Sequence, residues 1–390
     1  MVKTVNLPDT IIIGGGIGGL SAAIALEQLG GKVKVFERAS KLKEMGAGIV
    51  LAANAMKALE KLGVADQVIK AGSPVKKAEI RTWDGKLIVN VPTDKQAEQY
   101  GSYSYLIYRP ELQRILYKKL NSGTLELGKK LVRLEEKESY IETAFGDGSK
   151  FQGDFLIGAD GAHSEVRNSL FESMTLRYSG ISAFRGISYF DDPRFPVELG
   201  GGFEAWGHGK RFGYSHLGEG RIFWFAAINA PQGTLVHSRQ RKKTAMELFK
   251  DWWQPIQAVI RSTEESDILT HDIFDRRPIK TWSKGIVTLL GDAAHPMLPN
   301  LGQGGAQAME DAIVLARCLK KYPNDIRKAC SKYEEIRIPR TTKIVHGSRL
   351  MGNIMQLEHT AAVVCRNMFL RIVPDSIQIK RLKWVVGHEL

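Results

Sequence analysis

Gly14-Gly15-Gly16-Ile17-Gly18-Gly19 fits the spacing G-x-G-x-x-G. In that spacing the first glycine makes a tight turn. The second lets backbone approach a pyrophosphate, and the third lets a helix pack against a strand. The helix that follows presents free N–H groups and a partial positive charge to phosphates. Glu37 lies eighteen residues beyond Gly19. A carboxylate there accepts hydrogen bonds from a ribose diol and repels a 2′-phosphate. A glycine fingerprint alone is weak, but here a β-branched run, Thr10 to Ile13, precedes it and an Ala/Leu-rich segment, Leu20 to Leu29, follows, which is the strand–turn–helix context the chemistry needs.

Two further stretches could touch the same ligand. Leu156-Ile157-Gly158-Ala159-Asp160-Gly161 ends an apolar run in Asp-Gly, and Ser164 sits where a helix cap would stand; by itself this is only a turn and a cap. The second stretch runs from Gly291-Asp292 through His295-Pro296 to Gly302-Gln303-Gly304-Gly305. Asp292 ends a strand and suits a sugar-alcohol hydroxyl, and backbone N–H groups near Gly304 and Gly305, at a helix start, favour negative charge. His295 beside Pro296 is a candidate base, weighed against a structural loop histidine.

These motifs need a scaffold. Residues 9–37 read as strand, glycine turn, helix and strand; 51–71 and 110–120 read as helices, the latter opened by Pro110. Residues 124–157 read as strands with a turn at Gly146-Asp147-Gly148. The stretch 175–230 is aromatic and β-branched, as in Arg221-Ile222-Phe223-Trp224-Phe225, and reads as an antiparallel sheet in a second domain. Residues 240–262 and 305–357 read as helical. The last 25 or so residues mix Arg366, Arg371, Lys380, Arg381 and Lys383 with Phe369, Ile372 and Trp384, a pattern that fits packing back on the protein and also fits a membrane surface, with packing preferred.

The chain has 390 residues, 43% hydrophobic and 25% charged, with a net charge of +13. The basic residues form no long block and no zinc-finger or aromatic RNA-binding pattern, so a solvated basic surface is favoured over nucleic-acid binding. Cys318, Cys330 and Cys365 match no metal-site or disulfide framework, as expected of thiols in a reducing cytoplasm. No metal site is expected. Lys3 and the run Thr10 to Ile13 lack the apolar length of a signal peptide, and no stretch approaches eighteen apolar residues.

Taken together, the three motifs resemble the single-component FAD-dependent monooxygenases of the aromatic-hydroxylase type, a family that includes salicylate, 4-hydroxybenzoate and urate hydroxylases and zeaxanthin epoxidase. The order of motifs near residues 14, 160 and 291 is that family's order, and the match spans nearly the whole chain. Glu37-Arg38, Gly46-Ala47-Gly48-Ile49 and Arg109 match further positions, while Ala306 stands where many relatives carry Cys. The resemblance implies a Rossmann-like α/β FAD-binding domain (1–174 and 275–330) interleaved with an antiparallel-sheet substrate domain (175–274) and followed by a C-terminal helical region (331–390). It implies non-covalent FAD held by Gly14, Gly16, Ile17, Gly18, Gly19, Glu37, Arg38, Gly48, Ile49, Arg109, Val132, Asp160, Asp292, Gly302, Gly304 and Gly305. NAD(P)H would reduce the flavin, and a C4a-hydroperoxide formed with O2 would oxygenate an electron-rich small molecule. Arg185, Tyr214 and Trp224 are candidates to line the substrate pocket, though both aromatics equally fit a sheet core; Arg185, Tyr214, His295 and Pro296 form the candidate catalytic set. Other flavoproteins of this fold, halogenases or prenyl-chain reductases, and a binding protein without redox work are the alternatives. A halogenase Trp-x-Trp-x-Ile-Pro stretch is absent.

Overall fold

The computed structural model describes residues 7–42, 47–171, 175–235 and 240–389; Lys3 and Gly46 lie outside them. Thr10–Ile13 and Val33–Glu37 are strands on either side of the helix Ile17–Glu27. They pair in parallel, and Thr10–Ile13 pairs in parallel with Phe155–Gly158 as well. Val287–Leu289 then joins Phe155–Gly158 in parallel, and Leu125–Leu127 closes the other side beside Val33–Glu37. Ser283–Lys284 completes the six-stranded sheet at its edge, and is its one antiparallel strand. A sheet buried on both faces reads as continuous apolar runs, as Thr10–Ile13 and Phe155–Gly158 do, every residue being buried. All three motifs of the sequence therefore follow strands of one sheet, and open α/β sheets bind ligands at such carboxyl ends.

A second sheet has seven strands, in the order Ile268–Asp275, Arg177–Tyr189, Arg221–Asn229, Lys210–Gly218, Gly202–Trp206, Ala78–Thr82 and Leu87–Asn90. The expected antiparallel sheet differs here in two ways. Its last two strands come from residues 78–90, inside the stretch assigned to the nucleotide domain, and Ala78–Thr82 pairs with Gly202–Trp206 in parallel. The chain supplies these strands long before the rest, so the two units interlock. The division at 330/331 falls inside the helix Ile326–Met355. The expected helix over 51–71 is two, Ala53–Lys61 and Ala65–Ala71, parted where Gly63 turns the chain at φ +69°.

The helices Arg241–Leu248 and Gln254–Ser262 cover one face of the seven-stranded sheet. Phe184, Phe203, Phe212, Tyr214, Trp224 and Phe249 fill the layer between. Phe212 stacks on Trp224 with ring centres 5.4 Å apart, and Phe203 on Tyr214 at 5.4 Å; such pairs add about 0.5–1.5 kcal/mol each beyond simple burial. The opposite face carries Arg185, Phe223 and Phe225, because Arg185 pairs with Phe225 and Ile187 with Phe223 and side chains alternate along a strand.

At the C-terminus Thr360–Ile372 and Asp375–Val386 are helices. The second packs back: Trp384 lies against Gly347, and Arg340 donates to the Trp384 and Val385 carbonyls at 2.9 and 3.0 Å. Among the described residues no helix is long and apolar enough to cross a membrane.

Candidate functional site

A cleft of about 430 Å3 opens at the carboxyl ends of the parallel strands. Its floor is the first glycine turn. Gly14 has φ +111°, and a Cβ there would meet the Ala159 carbonyl oxygen at 2.4 Å, so only glycine fits. Gly19 would put a Cβ 1.9 Å from the Gly14 oxygen, and Gly18 would put one 2.7 Å from Leu290. A side chain at either would strike packed protein, so both glycines serve the close packing of the helix. Gly16 is different. A Cβ on it would meet nothing within 4 Å: its open side is the cleft.

Glu37 lies on the wall of the cleft. Its Oε2 accepts the Gly15 N–H at 2.8 Å and its Oε1 the Ala39 N–H at 2.9 Å. It thereby fixes the glycine turn while its carboxylate remains at the cleft edge. Gln113 was not singled out in the sequence; its Nε2 donates to the Gly15 oxygen at 2.7 Å. It stands one helical turn after Arg109, so the i, i+4 spacing was the available signal. Glu37→Gln keeps the size but loses the charge on both bonds. We expect it to weaken cofactor binding about tenfold, on the order of 1.5 kcal/mol for weakened charge-assisted bonds; titration of the apoprotein by quenching of flavin fluorescence checks this.

Arg38, Arg109, Asp160 and Arg185 also line the cleft. Asp160 accepts from Ser164 Oγ and from the Glu165 N–H at 2.7 Å, and Ser164 accepts the Arg167 N–H at 2.9 Å, the cap expected from sequence. Burial pushes the Asp160 carboxyl up, partly offset by these bonds. Arg167 is buried and donates to the Ala293 and Ala294 carbonyls at 3.1 and 3.3 Å. It ties the Asp-Gly motif to the Gly-Asp motif. Neither Arg109 nor Arg185 has a side-chain partner among the described residues. Burial, then the charge of Arg109, pushes Arg185 down to about 10, still a cation at neutral pH. Beside it His271, which the sequence did not reveal, is pushed down to about 4 by burial and by Arg185 and is neutral. Two unpaired guanidiniums facing one cleft suit an anionic ligand.

Asp292 is exposed at its strand end, and a Cβ on Gly304 would lie 4.0 Å from its Oδ1. The strand Gly48–Leu51 runs alongside the late glycine loop: a Cβ on Gly305 would meet Ile49 Cδ1 at 2.8 Å and one on Gly302 would meet Val50 at 3.9 Å. Gly48 itself presses on Phe223. Val132 is 60% exposed; the cleft is lined by Lys129, Lys130 and Leu131 instead, since alternation turns the Val132 side chain outward.

Four expected site residues stand elsewhere than in this cleft. His295 is buried, with its Nε2 2.6 Å from Asp311 Oδ2 and its ring beside Trp282; it has no access to the cleft and acts as a core link. Pro296 is buried next to it, its carbonyl accepting from Arg276 N. Tyr214 and Trp224 point into the aromatic layer under the helices, where Trp224 Nε1 donates to Thr263 at 2.8 Å. Of the sequence's pocket candidates Arg185 lines this cleft, whereas Tyr214, with Phe223 and Phe225, lines a second cavity.

Beneath the late loop lies a buried ionic network. Asp311 Oδ2 accepts the Gly291 N–H at 3.0 Å. Arg337 reaches Asp311 Oδ1 and Glu310 Oε2, both at 2.6 Å, and Arg340 reaches Glu310 Oε2 at 2.6 Å. Asn54 and Gln307 bond Glu310 Oε1 at 2.7 and 3.1 Å. Burial pushes both carboxyls up, but the guanidiniums and His295 outweigh it and hold each below its usual range.

An open-sided glycine, a free carboxylate at Asp292 and unpaired cations at the opposite wall fit a dinucleotide cofactor lying along the cleft. The comparisons agree with that fit. Residues 8–348 match the family described as FAD binding domain. The chain is 39% identical over 366 residues to the aurachin C monooxygenase/isomerase of Stigmatella aurantiaca, covering 94% of each chain. It is 32% identical to an FAD-dependent urate hydroxylase of Mycolicibacterium vanbaalenii, covering 87% of this chain and 86% of that one. The solved structure of Klebsiella pneumoniae HpxO with FAD and uric acid superposes with a TM-score of 0.89 at 30% identity, covering 96% of this chain and 95% of that one.

Proposed function

The chain belongs to the FAD binding domain family and is an FAD-dependent monooxygenase; from that premise we propose that it consumes NAD(P)H and O2 to insert one oxygen atom into a small, electron-rich organic substrate. The balance is substrate–H + O2 + NAD(P)H + H⁺ giving substrate–OH, NAD(P)⁺ and water. Bound flavin supplies the redox chemistry, accepting a hydride and passing on activated oxygen.

The residues have separate tasks in this reading. The open side of Gly16 and the N-terminus of the helix Ile17–Glu27 receive the pyrophosphate. Glu37 accepts from the ribose and Asp292 from the ribityl chain. The strand Gly48–Leu51 and the loop from Gly302 to Gly305 hold the ring system, with N–H groups at the start of the helix Gly304–Lys321 favouring negative charge there. Arg109 and Arg185 draw anionic groups into the cleft. A dry wall of Phe223 and Phe225 keeps water from the reacting atoms. The observation that carries the assignment is Gly16, whose open side faces the cleft at the start of the helix Ile17–Glu27. A cytoplasmic location, with both nicotinamide coenzymes at hand, suits this activity.

The purified protein is expected to show a flavin spectrum. It is expected to oxidise NADH or NADPH in air faster with one member of a panel of phenols, heterocycles and aromatic acids, which gains one oxygen by mass. A protein that stays colourless after FAD is added sinks the proposal.

A further inference from the structure

We propose that the substrate is a neutral, largely apolar molecule with a planar aromatic head and a hydrocarbon tail, not a small aromatic acid. This rests on the monooxygenase reading above and goes beyond it to the chemistry of the substrate.

A second cavity of about 360 Å3 lies beside the strand Gly48–Leu51. Val50 lines this cavity and neighbours Gly302 of the late glycine loop. Its walls include the rings of Phe223 and Phe225, which offer flat faces to a planar ring. Leu382 and Val386 of the last helix supply an aliphatic roof. That roof is pinned: Tyr100 donates to the Ile379 carbonyl, and Arg340 to Trp384 and Val385. Flat aromatic faces and a fixed aliphatic roof in one cavity suit a planar ring that carries a hydrocarbon chain.

Charge decides the class. No Lys, Arg or His lines this cavity among the described residues. Its two carboxylates already have partners within the protein: Glu79 pairs with Arg81 at 2.6 Å and Lys77 at 3.5 Å, and Glu204 pairs with Arg211 at 3.1 Å and accepts from Trp206 Nε1 at 2.8 Å. A substrate carboxylate would lose its water and gain no counter-charge, which costs several kcal/mol per ion. The cations Arg109 and Arg185 stand in the other cleft. What remains for recognition is neutral: the Ser104 and Ser215 hydroxyls and the Gln96 amide line the wall and have no side-chain partner among the described residues. They suit a phenol, carbonyl or ring N–H.

The test uses the FAD-loaded protein and three probes: 4-heptylphenol, 4-heptylbenzoate and phenol, each titrated by the change in flavin absorbance. The neutral long probe is expected to bind at least tenfold tighter than the benzoate and at least a hundredfold tighter than phenol. Leu382→Asp is expected to weaken 4-heptylphenol tenfold or more with flavin content unchanged. Equal or tighter binding of the benzoate, or no binding of 4-heptylphenol up to its solubility limit, overturns the proposal and leaves the monooxygenase reading standing. A protein that takes up no FAD refutes that reading itself.

Discussion

Gly16→Ala is expected to leave the fold intact and to lower FAD affinity on the order of a hundredfold, about 2.7 kcal/mol. The added methyl meets no protein atom within 4 Å, so the apoprotein has nothing to rearrange. Replacing glycine by alanine in extended backbone also reduces the freedom of the unfolded chain, and Gly16 sits at φ −77°, which alanine adopts readily. All of the cost falls on the ligand, because the methyl fills the space through which a pyrophosphate approaches backbone. Gly19→Ala is the contrast. Its Cβ would stand 1.9 Å from a backbone oxygen, so that variant should fail to fold. The check is circular dichroism with flavin titration on each: a folded Gly16→Ala that binds FAD like the parent protein would show that no phosphate passes there.

Arg337→Ala is expected to cost about 3–5 kcal/mol, the penalty for stripping a partner from buried charge. Arg337, Glu310 and Asp311 are all fully buried; without Arg337, Glu310 would keep only Arg340 as a cationic partner and Asp311 only His295. The effect is read as a drop in the apparent thermal midpoint, together with loss of flavin, since Asp311 also holds the Gly291 N–H. The pH dependence gives a second reading. Glu310 and Asp311 have folded pKa values below the ordinary 4.5 and 3.8. The unfolded chain therefore binds more protons in that range. Their contribution is complete above about pH 5 and is lost as pH falls through the depressed folded values. In Arg337→Ala that acid sensitivity should flatten, because the folded values rise. An unchanged midpoint in the variant would mean that the network contributes nothing to stability.

Much of the nucleotide half was legible because its signals are local. Gly14, Gly16, Gly19 and Glu37 lie within one strand–helix–strand unit whose spacing has a physical reason at each position. Asp160 and Asp292 were legible as strand ends. What failed was the choice between faces. In Arg221–Asn229 the period of two separates Trp224 from Phe223 and Phe225, yet both sets are apolar, since one packs under helices and the other lines a cavity. Hydrophobicity alone cannot say which is which. The strands at 78–90 were missed because Glu79 and Arg81 make them look like a solvated loop; their pairing as ions is a tertiary event. His295 misled for a similar reason: its partner Asp311 lies sixteen residues away on a helix face, and only the fold puts the ring beneath that helix.

The interleaving of strands also constrains how the protein is made. Thr10–Ile13 and Val33–Glu37 leave the ribosome first, but their sheet lacks Phe155–Gly158 and Val287–Leu289 until much later. At roughly 5–20 residues per second, the glycine turn waits on the order of tens of seconds for Asp292 and the network around Arg337. During that interval the exposed edge of the first strands is an aggregation hazard. The nascent chain therefore gains its nucleotide site only near the end of synthesis, and a truncation before residue 337 should yield insoluble protein instead of a smaller working domain.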